Sequence, residues 1–420
     1  MTPISGGIDF GTSNSTVGIY RDGRARLVAL EGPQVTMPSA VFYNFEDNGT
    51  YFGRRAIADY SDHVEGRLLR ALKSVLGSSL AHEKTRIKAR SIAFTDIIGS
   101  FIFYLKDRLE TEAGQAVENV VMGRPVHFVD EDEAADREAQ DQLENAARAQ
   151  GFRHIAFQFE PIAAALDYEQ QVTGEELALI IDIGGGTSDI SIVRVSPERA
   201  KAEDRRDDIL ASTGVHIGGT DFDKLLSVSH VMPEFGYKTP TRDGKRNLPA
   251  GYFFDLATWQ RINMLYTPKA MSDLRQMRQE AAQPELVERM IDVVGHRQGH
   301  ALAGRVERAK IDLTDMAETM MDISLTDERL HLPVTRAGLD EAIAHTVERV
   351  LKVITNSVAD AGLRPEQITT LFLTGGSTAI PLLKQSILAL FPNARPVEGD
   401  RFGSVGLGLA LDAKRKFGTA

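Results

Sequence analysis

Three observations predict an α/β protein built from two similar halves. Apolar strand-like runs alternate with amphipathic helical runs along most of the chain, the pattern of an α/β fold. Ile8-Asp9-Phe10-Gly11 is matched by Ile181-Asp182-Ile183-Gly184, each closing a strand and leading through small hydroxylated residues into a second alternating run. The 420 residues also exceed what one ordinary core organises, so two or more domains are expected.

The later of the two matched stretches, LALIIDIGGGTSDISIV (Leu177 to Val193), carries the sharper signal. Glycine inside a strand costs backbone entropy and packs nothing. Three in a row at Gly184, Gly185 and Gly186 therefore imply a tight hairpin tip or a close backbone approach to a ligand. Successive N–H groups at such a tip form a nest for an anion. Asp182 and Asp189 repel an anion, so they fit only with a cation between, and phosphate with Mg²⁺ meets both needs. A tight turn with two solvated acids explains one such loop equally well. The counterpart at Gly7 to Gly23 makes the phosphate reading sharper, because two opposed hairpins can grip a polyphosphate from both sides.

The remaining elements follow in order. FTDIIGSFIFYLKDRLETEAG places Ile97, Ile98, Phe101, Leu105 and Leu109 on one helical face, with Thr95 as its cap. VENVVMGRPV reads as a buried strand. VDEDEAADREAQDQLENAARAQG is a helix whose first turn is rich in acids, favourable beside the positive end of its dipole. Its charges read as a solvated face, and Gly151 ends it. HIAFQFEPIAAALDYE is a strand, a Glu160-Pro161 turn and a helix with proline at its first position. From about Lys224 to Gly304 the rhythm breaks into a turn-rich stretch followed by helices, read as a helical insertion on the second half. Leu339, Ile343, Val347, Val350, Ile354 and Val358 stripe a long helix closed by Gly362. TTLFLTGGSTAIP is a buried strand breaking at Gly375-Gly376-Ser377 into a further helix. In the last helix Gly406, Gly408 and Ala410 suit tight packing on a neighbour.

Composition narrows the function classes. The formal net charge of −11 argues against a nucleic-acid partner. The absence of cysteine removes disulfides, thiolate metal sites and cysteine nucleophiles. The N-terminus lacks the basic and apolar segments of a secretory signal, and no apolar run reaches the length of a membrane span. A soluble cytoplasmic protein without a membrane partner is expected.

IDFGTSNSTVGIY, FEPIAAALDY, IDIGGGTSDISI, IGGTDFD, VERAKIDL and FLTGGSTAIP occur in the order found in the ATPase domain of DnaK-type heat-shock proteins, which the chain resembles from Ile8 to about Pro381. These proteins belong to the actin, sugar-kinase and heat-shock ATPase superfamily. The resemblance implies a two-lobed actin-like fold with duplicated ribonuclease-H-like lobes and a smaller outer subdomain on each. Lobe I would span 1–173, with its outer subdomain at about 38–117; lobe II would span 174–401, with a helical one at about 223–312. A C-terminal helix at 402–420 would pack back towards lobe I. The resemblance further implies ATP or ADP with Mg²⁺ held by Asp9 and Asp182. Gly11, Thr12, Ser13 and Asn14 would line the first phosphate hairpin, and Gly184 to Thr187 the second. Gly218 and Gly219 would approach the nucleotide, while Glu307, Lys310 and Thr314 contact the adenosine and Gly375, Gly376 and Ser377 complete its pocket. Lys73 matches the family's catalytic lysine, Glu160 its Glu-Pro acid, and Thr187 and Asp189 stand with them as catalytic candidates beside Asp182.

Two departures shape the functional expectation. Ala379 occupies a position where the family commonly carries an arginine against adenine. The chain stops at Ala420, so a mechanism without a peptide-binding domain is expected, as in the truncated YegD-type proteins that it looks more like. The expected function is a slowly hydrolysing, ATP-binding chaperone-related switch, with client or co-chaperone proteins as partners. A small-molecule kinase with Glu160 or Asp189 as base, a polymerising actin-like protein and a regulator without turnover stay open as alternatives.

Overall fold

The computed structural model describes residues 4–62, 64–129, 132–169, 172–202, 204–397 and 403–418. The chain divides into two units, one formed by Met1–Val215, Val353–Gly376 and Leu390–Ala420, the other by His216–Lys352 and Ser377–Ala389.

The first unit holds two sheets of one plan. In the first sheet β1 (Ser5–Phe10) pairs antiparallel with β2 (Asn14–Arg21), and β2 with β3 (Arg24–Leu27). On its other edge β1 runs parallel to β4 (Asn119–Arg124), and β4 parallel to β5 (His154–Phe159). The second sheet repeats this. There β6 (Glu176–Ile183) pairs antiparallel with β7 (Ser188–Val195), and β7 with β8 (Ile209–Val215). Next to β6 lie the parallel strands β9 (Thr370–Thr374) and β10 (Arg395–Val397). Asp9 faces Thr16 across one hairpin and Asp182 faces Asp189 across the other. The two Ile-Asp-x-Gly turns are therefore equivalent points of a duplicated topology, and the mixed α/β architecture is the one expected.

Helices pack the sheets together. α1 (Phe94–Ala113) buries Ile97, Ile98, Phe101, Leu105 and Leu109 completely. With Leu143 and Ala147 of α2 (Glu133–Ala149), these side chains cover Ile8, Phe10, Val17 and Ile19 of the first hairpin. Removing each such side chain from water stabilises the fold by roughly 1.5–3 kcal/mol. Thr95 is not the cap of α1: strand Arg90–Ala93 runs straight into the helix, and Ala93 takes the N-cap position in extended backbone. α2 is capped by Asp132, whose Oδ1 accepts from the N–H groups of Ala134 and Ala135 at 3.0 Å each. The acids of this helix are not all solvated, because Asp136 turns inward to Arg124 at 2.7 Å.

α3 (Glu160–Glu169) follows β5 directly, so Glu160 and Pro161 open the helix rather than form a separate turn. It serves both sheets. Ala163 joins Val121, Leu409 and Ala413 on the first, while Ile162, Ala165 and Leu166 pack with Ala178, Ile180, Val193 and Phe372 on the second. α4 (Ser404–Phe417) lies against α3, β1 and β2 with the close approach its small residues predict. A Cβ on Gly408 would overlap the carbonyl oxygen of Ala163, and one on Gly406 would sit 2.5 Å from Thr16 Oγ1.

The second unit is mainly helical. Helices Gly219–Leu226, Gly251–Ala257, Pro268–Glu280, Pro284–Gly295 and Gly299–Asp315 precede an antiparallel pair, Glu318–Ser324 with Arg329–Thr335. Helix Arg336–Asp360 buries its predicted stripe throughout, and Gly362 follows it at φ +70°. Among the described residues no helix is long and apolar enough to cross a membrane.

Candidate functional site

The turns of the two duplicated hairpins meet. Between β6 and β7 the N–H of Gly184 donates to the carbonyl of Thr187 at 2.9 Å, closing the tip. A Cβ on Gly185 would overlap Ser13 Oγ of the opposing turn, whereas one on Gly186 would have nothing within 4 Å. The consecutive glycines thus meet two requirements: Gly185 admits the other hairpin and Gly186 borders open space. The first turn is fixed by Ser39, absent from the sequence-derived set. Its Oγ donates to the carbonyl of Gly11 at 2.6 Å, and its N–H donates to that of Ser13 at 2.8 Å. Thr12 and Ser13 are half-buried, and Asn14 is exposed at the start of β2.

A group of acids acts on one lysine. Lys73 Nζ stands 2.5 Å from Glu160 Oε1, with the lysine side chain 9% and the glutamate 22% accessible. Lys73 rides on a 3₁₀ turn, Leu72–Val75, entered through Ala71 at φ +55°. That left-handed backbone costs a non-glycine residue roughly 1–2 kcal/mol. Desolvation pushes the Lys73 ammonium down, but Glu160, Asp9 and Asp189 outweigh it and hold the group above the usual lysine range. Lys73 is therefore a buried, charged lysine and not a solvated helical one.

Asp9 and Asp182 are partly accessible at the surface, yet surrounded by protein. Removal from water raises the Asp9 carboxyl to about 8, helped by Glu160 and Asp182 and opposed by Lys73. The same cause, then Asp189 and Glu160, raises Asp182 to about 7, against Lys73 and a hydrogen bond with Thr374. Crowded carboxylates that resist ionisation in this way gain from a hard cation. Among the described residues no three acidic or histidine side chains form a metal-ligating cage, so Asp9 and Asp182 are carboxylates that could hold a cation such as Mg²⁺ through its waters. Two glycines keep this space clear. A Cβ on Gly123 would lie 3.3 Å from Glu160 Cγ, and one on Gly375, at φ +77°, 2.5 Å from Asp182 Oδ1. Thr187 Oγ1 donates to Asp189 Oδ2 at 3.1 Å at the rim.

Lys73, Glu160, Asp9, Asp182, Thr187, Asp189 and the hairpin glycines all belong to the first unit, as do Gly375 and Gly376. The other nucleoside candidates belong to the second. There Lys310 is buried, pairing with Asp223 at 2.8 Å and donating to the carbonyl of Gly219 at 3.1 Å. Gly218 caps helix Gly219–Leu226, its N–H bonded to Asp221 at 2.9 Å. Glu307 is exposed on the helix that carries Lys310, Thr314 Oγ1 donates to the carbonyl of Ile311, and Ser377 is buried within the 3₁₀ turn Gly376–Ala379.

Two sheets of one duplicated plan whose Ile-Asp-x-Gly hairpin turns meet define a mixed α/β protein of the actin-like ATPase fold. The chain belongs to the Hsp70 family: the family model described as "Hsp70 protein" matches residues 5–248 and 286–414. The unmatched residues 249–285 hold helices Gly251–Ala257 and Pro268–Glu280.

Proposed function

We propose that this chain binds ATP with Mg²⁺ and hydrolyses it slowly, acting as a chaperone-related nucleotide switch for client or co-chaperone proteins in the cytoplasm. One observation carries the reading: the turns of two topologically equivalent hairpins meet, and their Asp9, Asp182 and Asp189 act electrostatically on one buried group together with the Lys73–Glu160 pair. In this reading the duplicated cores make the lobes 1–173 and 174–401. Backbone N–H groups of the turns from Gly11 to Asn14 and from Gly184 to Thr187 cradle the phosphates. Asp9 and Asp182 hold the hydrated Mg²⁺, which neutralises phosphate charge when bound. The Lys73 ammonium lies ready to stabilise charge on the transferred phosphoryl group. Glu160, held by Lys73 and acting on Asp9, would orient the attacking water, with Thr187 and Asp189 as the further catalytic groups. Calorimetry with Mg-ATP and a phosphate-release assay test the proposal. Binding with slow release that disappears in Asp182→Asn is expected; no binding, or release equal to that variant, would sink it.

A further inference from the structure

A buried arginine outside the reacting group stands at the strand end beside the residue that precedes Glu160. Arg124 is the last residue of β4 and pairs in register with Phe159, the residue before Glu160. The arginine is buried and its guanidinium lies over two rings, 5.3 Å from the centroid of Phe128 and 5.3 Å from that of Phe159. Every nitrogen donates. Nε bonds the carbonyl of Pro125 at 3.1 Å, Nη1 bonds Gln140 Oε1 at 2.5 Å, and Nη2 bonds the carbonyl of Val126 at 3.2 Å and Asp136 Oδ2 at 2.7 Å. The other oxygen of Asp136 accepts from the N–H of Phe128 at 2.5 Å.

These partners all lie on α2 or on the loop that leaves β4, and none is a candidate reacting group. The neighbouring residue is the link to the chemistry. Gly123 sits so close to Glu160 and Asp9 that a Cβ there would be 3.3 Å from Glu160 Cγ and 3.6 Å from Asp9 Oδ1. Movement of the β4 end would thus move the floor under both carboxylates, while loss of the ring stack would free Phe159 and the start of α3.

We infer that Arg124 is a positioning residue for Glu160, bolting the end of β4 to α2 so that the Lys73–Glu160 pair keeps its geometry. The inference rests on the ATPase reading for its kinetic consequence. Arginine suits the task because its planar fork stacks on rings while donating in several directions, which an ammonium cannot do.

The test uses Arg124→Lys, Gln140→Leu and Gln140→Glu, alone and with Glu160→Gln, in the full chain. Arg124→Lys is expected to lower the turnover number of ATP hydrolysis by about 10–100-fold, as misplacement by an ångström does, with ATP affinity within about twofold. Gln140→Leu should lose several-fold, and Gln140→Glu, which restores an acceptor, should recover most of it. In the Glu160→Gln background Arg124→Lys should add under about twofold, because coupled residues are not additive. Crystals of Arg124→Lys should show the Lys73–Glu160 pair opened. Wild-type turnover in Arg124→Lys, an equal loss in both backgrounds, or an unmoved Lys73–Glu160 pair overturns the inference. If the wild-type chain shows no hydrolysis, the ATPase reading fails, and the geometry of that pair in the variant crystals still decides the positioning role.

Discussion

Lys73 and Glu160, from a 3₁₀ turn and the first position of α3, form an ion pair of 2.5 Å that acts on the carboxyl of Asp9. The pair has both a structural and a chemical consequence. Lys73→Ala leaves Glu160 beside Asp9 and Asp182 without its cation. Thermal or denaturant unfolding should show a loss of about 1–3 kcal/mol, below that of a fully buried pair because Glu160 keeps some water contact. ATP hydrolysis should fall about 10²–10³-fold, the typical effect of removing one preorganised charge-stabilising group. Glu160→Gln keeps the shape and relieves Asp9 and Asp182 of a like charge, so it should lose hydrolysis with little loss of stability. Equal stability losses in the two variants would contradict this division.

The raised carboxyls give the nucleotide-free protein a pH signature. Asp9 at about 8 and Asp182 at about 7 bind protons in the folded chain that the unfolded chain has released above about pH 4. Folding stability from these groups is therefore largest at low pH and falls as pH rises from about 4 through 7 and 8. The Lys73 ammonium contributes in the other range, its share being lost only above the usual lysine value. Melting temperature measured from pH 5 to 8.5 should decline more steeply for wild type than for Asp9→Asn. Mg²⁺-dependent nucleotide binding should release protons near pH 7, seen as a calorimetric enthalpy that depends on the buffer. Parallel melting curves for wild type and Asp9→Asn would rule out a protonated Asp9.

Two glycines separate packing from ligand contact. Alanine at Gly408 would drive a methyl into the backbone oxygen of Ala163, where neither helix can yield by a side-chain rotation. Overpacking of this kind costs about 1–3 kcal/mol, and chemical denaturation of Gly408→Ala should show it. Gly186 is exposed with no atom near its absent Cβ. Gly186→Ala should leave stability unchanged or raise it by about 0.4–1 kcal/mol through the unfolded chain. A fall in ATP affinity in that variant would then report the phosphate itself. Unchanged affinity would remove Gly186 from the phosphate nest.

The duplicated hairpins were legible because β-hairpins are written locally, in alternation and in glycine, and Asp9 and Asp182 mark equivalent positions. The helical stripes of α1 and Arg336–Asp360 were legible for the same reason. What escaped was long-range. Ser39 carries no pattern, and it matters only because it reaches the carbonyls of the first turn. Asp136 was read with its neighbours as part of a solvated face, since nothing in a helix rich in acids says which one faces inward to Arg124. The strained entry to the Lys73 turn lies at an alanine, where sequence rules expect glycine.

The second unit offers a test of which nucleoside candidates touch ligand and which hold the fold. Lys310 is buried, tied to Asp223 and to the carbonyl of Gly219, so its ammonium already has structural partners. Lys310→Met deprives Asp223 of its cation and should lower the melting temperature. Glu307, one turn earlier on the same helix, is exposed. Glu307→Ala should shift stability by no more than about 0.5 kcal/mol, as surface substitutions do. If Glu307 bonds the adenosine, that variant should weaken ATP binding roughly tenfold, the worth of a hydrogen bond to a charged group. Its affinity for inorganic triphosphate should stay at the wild-type value, because the hairpins alone grip the phosphates in this reading. Calorimetry with both ligands decides: equal weakening for ATP and triphosphate would move Glu307 out of the nucleoside contact, and no weakening for either would leave the helix face without a role in binding.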